Sequence, residues 1–298
     1  MSGAATPRNI LTVDLEEWFH LDEAVIPPGE WDRLPSRVEA NMRVLLDLFD
    51  EAGVRATVFV LGWVAARQQR LVRDIAARGH ELATHGYLHR SVSQMTTQEF
   101  RADLRQARQA IEAAADASLT GYRAPRWSLG GRPGGGRRGH ASGVVIGALD
   151  VLIEEGMRYD ASLAPIVSIG DSAWPRDPYR IERPAGSIVE LPPLVGRFFG
   201  VPLLFAGGFA LRCLPARAIL REVARRNTRG APAVIDLHPW ELDDDPPRAA
   251  MPLKYRIAHH AGLRGFRARL RDLLPRLDAG PACDWLAASA SSPPAYPG

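Results

Sequence analysis

Short runs of consecutive apolar residues alternate along the chain with longer stretches whose apolar positions recur every three or four residues. That is the pattern of repeated β-α units on a largely parallel sheet. Ile10–Val13 reads as the first strand. Ser36–Glu39 has the form of a capping box and opens a helix with Val38, Met42, Leu45, Leu46 and Phe49 on one side, stopped by Gly53. Val54–Leu61 is the next strand, a helix through Leu71 and Ile75 ends at Gly79, and a short strand runs into Thr84. Thr96–Glu99 repeats the capping-box pattern at the head of a long helix to about Ala115, and Leu119–Tyr122 follows as a strand. Val144–Glu155 reads as helix, Ser187–Leu191 and Ala233–Leu237 as strands, and Pro215–Arg226 as a basic helix between those two. The pattern predicts an α/β architecture with about seven strands. Leu129–Gly143 is too glycine-rich for a packed element and reads as a mobile, solvated loop; no strand leads directly into it and no GK[ST] follows, so a phosphate cradle is disfavoured. The small, polar, proline-containing tail from Ala287 to Gly298 reads as disordered.

Composition narrows this picture. The chain has 298 residues, 46% hydrophobic and 24% charged, a length and balance that one α/β barrel core accommodates. A single catalytic domain over residues 1–286 is expected. A formal charge of only +3, with arginines scattered along helical segments, does not call for a nucleic-acid partner. Cys213 and Cys283 lie far apart without CxxC spacing and are expected to be small buried hydrophobes. The N-terminus has no basic patch leading into an apolar run, and no stretch reaches the ~20 apolar residues that span a bilayer. A soluble, cytoplasmic protein is expected, with association at the inner membrane face still open.

Polar residues fall just after predicted strands, where α/β folds place their sites. In TVDLEEWFH, Asp14 and Glu16 stand two apart, so strand alternation sends both to one side, as a base and a metal ligand would require; a solvated strand end is the bland alternative. In ATHGYLHRS, His85 and His89 bracket Gly86, which permits a tight turn, and two imidazoles so spaced can chelate one divalent cation. Two histidines plus a carboxylate leave positions for water and substrate, the arrangement of a hydrolytic rather than a structural metal site. Arg123 in GYRAPRWS can grip a carboxylate bidentately or serve as a structural ion pair. His238 and Trp240 in VIDLHPWEL set a titratable general-acid candidate beside an aromatic surface that suits a sugar ring.

In order and content, these segments resemble the polysaccharide deacetylase family, carbohydrate esterase family four, from Ile10 to about Glu241. The family's acidic, HxxxH, RxPxx and late leucine-histidine motifs read here as VDLEE, HGYLH, RAPRW and DLHPWE. TVDLEEWFH, SRVEANMRVLLDLFDEAGVRATVFVLGWVA and LHPWELD are similar to the branch associated with exosortase-type exopolysaccharide loci, a similarity that extends into a C-terminal region of about residues 242–286. The resemblance implies a distorted (β/α) barrel of about seven strands that hydrolyses N-acetyl groups on a poly- or oligosaccharide, an N-acetylated glycan being the partner. It implies a divalent metal, Zn2+ first, with Co2+, Ni2+, Fe2+ or Mn2+ also suited. Family members commonly have two adjacent aspartates in the first motif, whereas here Leu15 follows Asp14, so the resemblance gives the base role to Asp14 and the ligand role to Glu16 beside His85 and His89. It implies that Arg123 orients Asp14, that His238 is the acid, and that Asp160 supports the late histidine, a structural hydrogen-bonding role for Asp160 being the alternative. Trp18, Pro125, Trp127 and Trp240 are the expected substrate-binding residues. An open groove bearing the tryptophans would favour a glycan, and a closed pocket a small cyclic amide or ureide; a catalytically silent carbohydrate binder is the non-enzymatic alternative.

Overall fold

The computed structural model describes residues 8–21, 25–130, 143–247, 251–289 and 293–296. β1 (Asn9–Leu15) is buried along its whole length. Leu11, Val13 and Leu15 face the helices α1 (Val38–Ala52), α2 (Gly62–Arg67) and α3 (Gln69–Ala77), whereas Ile10 joins Phe59, Ala83, Tyr159, Leu191 and Val234 in an interior cluster. Burial on both faces explains why this strand reads as a continuous apolar run. Of its polar residues Asn9, Thr12 and Asp14, the last two share the interior face with Ile10 by alternation.

The succession continues through β2 (Thr57–Val60), β3 (Glu81–Thr84), α4 (Thr97–Ala115), β4 (Gly121–Tyr122), α5 (Gly143–Glu154) and β5 (Tyr159–Asp160). β6 (Tyr179–Arg183) and β7 (Gly186–Glu190) form a hairpin, β8 (Val195–Phe198) and β9 (Val201–Leu204) a separate one. Then come α6 (Gly208–Cys213), α7 (Ala216–Asn227), β10 (Val234–Leu237), α8 (Leu253–His260), α9 (Phe266–Leu273), β11 (Ala279–Gly280), α10 (Ala282–Ala288) and β12 (Ala295–Tyr296). The main sheet runs β10-β1-β2-β3-β4-β5-β7-β6-β12, with β11 also paired to β1. From β10 to β7 every neighbour is parallel, giving a run of seven strands.

Among the described residues no ladder joins β7 to β10, but irregular backbone crosses that seam: Leu194 N–H donates to Val234 O (3.0 Å) and Asp236 N–H to Ala206 O (2.9 Å). The result is the distorted (β/α) barrel that the sequence led us to expect. Its N-terminal end is plugged by α10, whose Ala282 and Cys283 amides donate to Thr57 Oγ1 (2.7 Å) and Glu81 Oε2 (2.9 Å). Amides that a helix start would otherwise leave unpaired are thereby satisfied. Tyr159 OH also donates to Glu81 Oε1 (2.9 Å), tying β5 to the same plug. On the outside, Phe266, Leu270, Leu273 and Leu277 from the C-terminal region join the core formed by β1 and α1.

Several local expectations are corrected. Ser36–Glu39 is not a capping box: α1 starts at Val38, and Glu17 takes the Ser36 hydroxyl and the Arg37 N–H (2.9 Å), while Glu39 pairs with Arg43. At Thr96–Glu99 the reciprocal box does form. The helix through Leu71 and Ile75 is broken at Gln68 into α2 and α3. Both cysteines are free and exposed, not buried. The tail, expected to lack structure, contributes β12, which pairs Ala295 with Arg180 and Tyr296 with Ile181. Most of the expected loop at Leu129–Gly143 lies outside the described residues. No helix among the described residues is long and apolar enough to cross a membrane.

Candidate active site

The ends of the parallel strands lie level, since Val60 pairs with Thr84, Thr84 with Tyr122, and Tyr122 with Asp160. Residues just beyond them therefore converge. Asp14 and Glu16 come from the end of β1, His85 follows β3, Arg123 follows β4, and His238 follows β10. Gly86, at φ 76°, turns the chain after His85, and a Cβ there would sit 2.9 Å from Asp103 Oδ2. This turn brings His89 back beside His85, with ring centroids 5.3 Å apart.

Both histidines present the same ring nitrogen to the site. His85 Nδ1–H donates to Arg123 O (2.9 Å) and His89 Nδ1–H to Leu21 O (3.2 Å), since a carbonyl can only accept. Their Nε2 lone pairs are thereby left facing inward, the tautomer and backing that metal-ligating imidazoles use. Glu16 Oε2 lies 2.8 Å from His89 Nε2 and 3.9 Å from His85 Nε2, yet it is buried with no hydrogen-bond partner. An orphaned carboxylate oxygen between two inward lone pairs fits a cation. Ligand atoms of Glu16, His85 and His89 lie within 4.8 Å of one another. Burial raises the Glu16 pKa, but His89, with His238 and His85, outweighs it and holds the carboxyl well below the usual range. Burial, only partly offset by Asp14, brings His85 down to about 4.

Asp14 points one oxygen at Arg123 and the other at the site: Oδ1 accepts from Arg123 Nη1 (2.8 Å), and Oδ2 lies 3.7 Å from His85 Nε2 and 4.0 Å from His238 Nε2. Arg123, 1% exposed, does not form the bidentate fork the sequence suggested. Its Nη1 serves Asp14, Asp236 (2.8 Å) and Thr12 Oγ1 (2.9 Å) together, and Nε donates to Ala161 O (3.2 Å). The guanidinium also lies over the Phe59 ring, 4.3 Å from its centroid.

His238 Nε2 stands 3.7 Å from Glu16 Oε1 and 3.9 Å from Asp236 Oδ2, and His238 Nδ1 is 3.7 Å from Glu241 Oε2. Burial disfavours the imidazolium, but Asp236, Glu241 and Glu16 outweigh it and raise the pKa to about 10. Burial and the neighbouring Asp14 push Asp236 upward. Glu241 is held by Arg212 (3.1 Å) and accepts the His238 N–H (3.0 Å). Room for it comes from Gly208, where a Cβ would fall 1.4 Å from Glu241 Oε1.

The expected substrate residues divide. Trp240 is at the site: its Nε1 donates to Glu16 Oε1 (3.2 Å), and its ring stacks on His259 at 4.1 Å. Trp127 is half-buried with φ 52° and a buried Nε1 that has no hydrogen-bond partner. Pro125 is buried at the start of the same irregular turn. Trp18 is corrected: it is 2% exposed, packs edge-on against Phe19, and donates to Pro35 O (2.9 Å) as part of the core. Asp160 takes its structural alternative, because the carboxylates within 4.0 Å of the His238 imidazole are Asp14, Glu16, Asp236 and Glu241. It binds Ser162 Oγ (2.5 Å) and pairs with Glu190, burial raising both acids.

Sequence reasoning missed Asp236, Glu241 and His259. Asp236 stands two residues before His238, so the alternation that paired Asp14 with Glu16 also points these two together. Asp14, Asp236 and His238 form a second cluster of closely spaced ligand-type atoms.

Residues 30–130 match the family described as "Polysaccharide deacetylase", and residues 161–286 match a domain of unknown function, DUF3473. A chitooligosaccharide deacetylase from Bradyrhizobium sp. (strain ANU 289) is 35% identical over 82 residues, which are 27% of this chain and 37% of that relative. The chain therefore spans little over a third of that relative's length. Two crystal structures share the fold. One, provisionally described as a polysaccharide deacetylase from Mycobacterium smegmatis, has a TM-score of 0.62 at 21% identity, covering 99% of this chain and 96% of its own. The other, a CE4 family pseudoenzyme from Bacillus anthracis, has a TM-score of 0.50 at 13% identity, covering 94% and 66%.

Proposed function

We propose that the chain, whose residues 30–130 match the polysaccharide deacetylase family, is a metal-dependent hydrolase that removes acetyl groups from an N-acetylated glycan and releases acetate. The observation that carries this reading is the orphaned, buried Glu16 Oε2 between the inward-facing Nε2 atoms of His85 and His89, with Asp14 and His238 on adjoining sides. Glu16, His85 and His89 would hold the ion, Zn2+ first by ligand type, with Co2+, Ni2+, Fe2+ or Mn2+ also suited. When bound, such an ion polarises an acyl carbonyl and lowers the pKa of water.

The remaining work falls to the chain's own groups. Asp14 Oδ2 takes the proton of the attacking water while Arg123 fixes Oδ1. His238 Nε2 returns a proton to the departing sugar amine, and Asp236 and Glu241 set the ring's orientation and charge. Trp240 holds Glu16 through its indole N–H, and the half-buried Trp127, which follows the Arg123 motif, is the second aromatic candidate for a sugar face. Residues 1–286 act as one catalytic unit in this reading, with 242–286 as its C-terminal extension. The exopolysaccharide branch suggests the polymer. Because Trp18 and Trp240 are buried and do not line an open groove, hydrolysis of a small cyclic amide or ureide is the second reading. Incubating the protein with N-acetylglucosamine oligomers, a bacterial exopolysaccharide, a cyclic amide and a cyclic ureide separates the two. Acetate from the glycans supports deacetylation, whereas ring opening without acetate replaces it with the second reading.

A further inference from the structure

Away from this site, where β8 leaves the barrel seam and α7 crosses it, lies a cavity of about 160 Å³ lined by Arg176, Arg197, Arg225, Arg226, Arg229 and Glu222. Its volume is well above the ~10–15 Å³ that holds a single water. Two of the arginines are neutralised: Arg225 pairs with Glu222 (3.1 Å) and Arg226 with Asp177. Arg197 donates to the Gly200 carbonyl (3.0 Å). Among the described residues, neither the Arg176 nor the Arg229 guanidinium meets a carboxylate or a hydrogen-bond acceptor. Burial and the nearby cations Arg226, Arg197 and Arg229 lower the Arg176 pKa. Holding like charges around a cavity costs stability unless an anion relieves it.

We propose that this cavity is a binding site for a phosphoryl group, held by Arg176 and Arg229 with Arg197 alongside. Guanidinium groups match the planar pairs of oxygens that phosphates present and are less strongly hydrated than ammonium groups. None of the candidate active-site residues lines the cavity, so the proposal stands apart from the deacetylase reading. The phosphoryl group has two possible sources, a free phosphate or pyrophosphate and a lipid headgroup. The second is raised by the β8–β9 turn, where Phe199 is 93% and Val201 63% exposed.

The test uses the full chain at about 0.15 M salt, where non-specific surface attraction is screened. Orthophosphate and pyrophosphate are titrated calorimetrically, and co-sedimentation is measured with phosphatidylglycerol and with phosphatidylcholine vesicles. Saturable binding of pyrophosphate, or binding to phosphatidylglycerol but not phosphatidylcholine vesicles, is expected, the arm that responds identifying the source. Arg176→Ala and Arg229→Ala each weaken it by about tenfold or more, the loss of one charge-assisted contact. Arg221→Ala, on an exposed α7 arginine outside the cavity, leaves it unchanged. No binding in either arm, indifference to Arg176→Ala and Arg229→Ala, or an equal loss in Arg221→Ala overturns the proposal. Urea midpoints identify any variant that weakens binding only by unfolding.

Discussion

Arg123 joins the fold to the chemistry, so its removal tests both. Its guanidinium is 1% exposed and neutralises Asp14 and Asp236 through one nitrogen while bonding Thr12 and the Ala161 carbonyl. Arg123→Met keeps the side chain's approximate bulk but leaves two carboxylates buried without their cation. Breaking a buried ion pair from one side costs about 3–5 kcal/mol, a large part of the ~5–15 kcal/mol that stabilises a domain. Asp236→Asn alone removes one of the two partners and costs less, on the order of 1–3 kcal/mol. In the double variant the second change removes part of the uncompensated charge, so the two penalties do not add; a coupling of about 1–3 kcal/mol is expected. Urea denaturation of the wild type, both single variants and the double closes the cycle. Penalties that add to within ~0.5 kcal/mol, or an Arg123→Met cost below ~1 kcal/mol, would refute the charge network described here.

Other outcomes follow from the same geometry. Asp14→Asn lowers acetate release by about 10²–10⁴-fold while one metal ion per chain is retained by elemental analysis; loss of the metal instead would make Asp14 a ligand. Trp240→Phe removes the indole N–H on Glu16 Oε1 and weakens metal affinity by about 10–100-fold in a competition titration, and an unchanged affinity would deny Trp240 that role. Thr96→Ala deletes the capping box of α4 and costs about 1 kcal/mol in urea with activity intact, whereas no change in midpoint would count against the cap. Burial lowers the His80 pKa, and His80 Nδ1 accepts the Ala56 N–H (3.1 Å), so the neutral ring is the folded form. Its contribution is complete above its unfolded value of about 6.5 and is lost as pH falls through its lower folded one. The urea midpoint of His80→Gln should thus fall less between pH 7.5 and 5 than that of the wild type, and parallel falls would contradict this.

Much of the candidate site was legible because its residues interrupt apolar runs at strand ends. Asp14, His85, Arg123 and His238 stand where a core strand gives way to a turn, and parallel pairing then brings those ends level. Trp18 was placed at the substrate by resemblance, but the chain turns at Glu16, whose N–H returns to Asp14 O (3.1 Å), and the following aromatics enter the core. Asp160 was assigned by motif position alone, and only the barrel's geometry shows the four other carboxylates around His238. Asp236 was hidden in plain view as an ordinary strand residue. β5 has two residues and so no periodicity to read, and α10 is a short helix fixed by contacts with Thr57 and Glu81 far away in sequence. Ser36–Glu39 had the right letters for a capping box, but Glu17 competes for the same donors.

The central claim is that Glu16, His85 and His89 hold an ion on which acetyl hydrolysis depends. The most direct measurement is acetate release from N-acetylglucosamine oligomers by protein stripped with chelator and then titrated with Zn2+ or Co2+, alongside His85→Ala and His89→Ala. Activity should vanish on stripping, return as one ion binds per chain, and not return in either histidine variant. Full acetate release from the stripped protein, or restoration by metal in both histidine variants, would contradict the account.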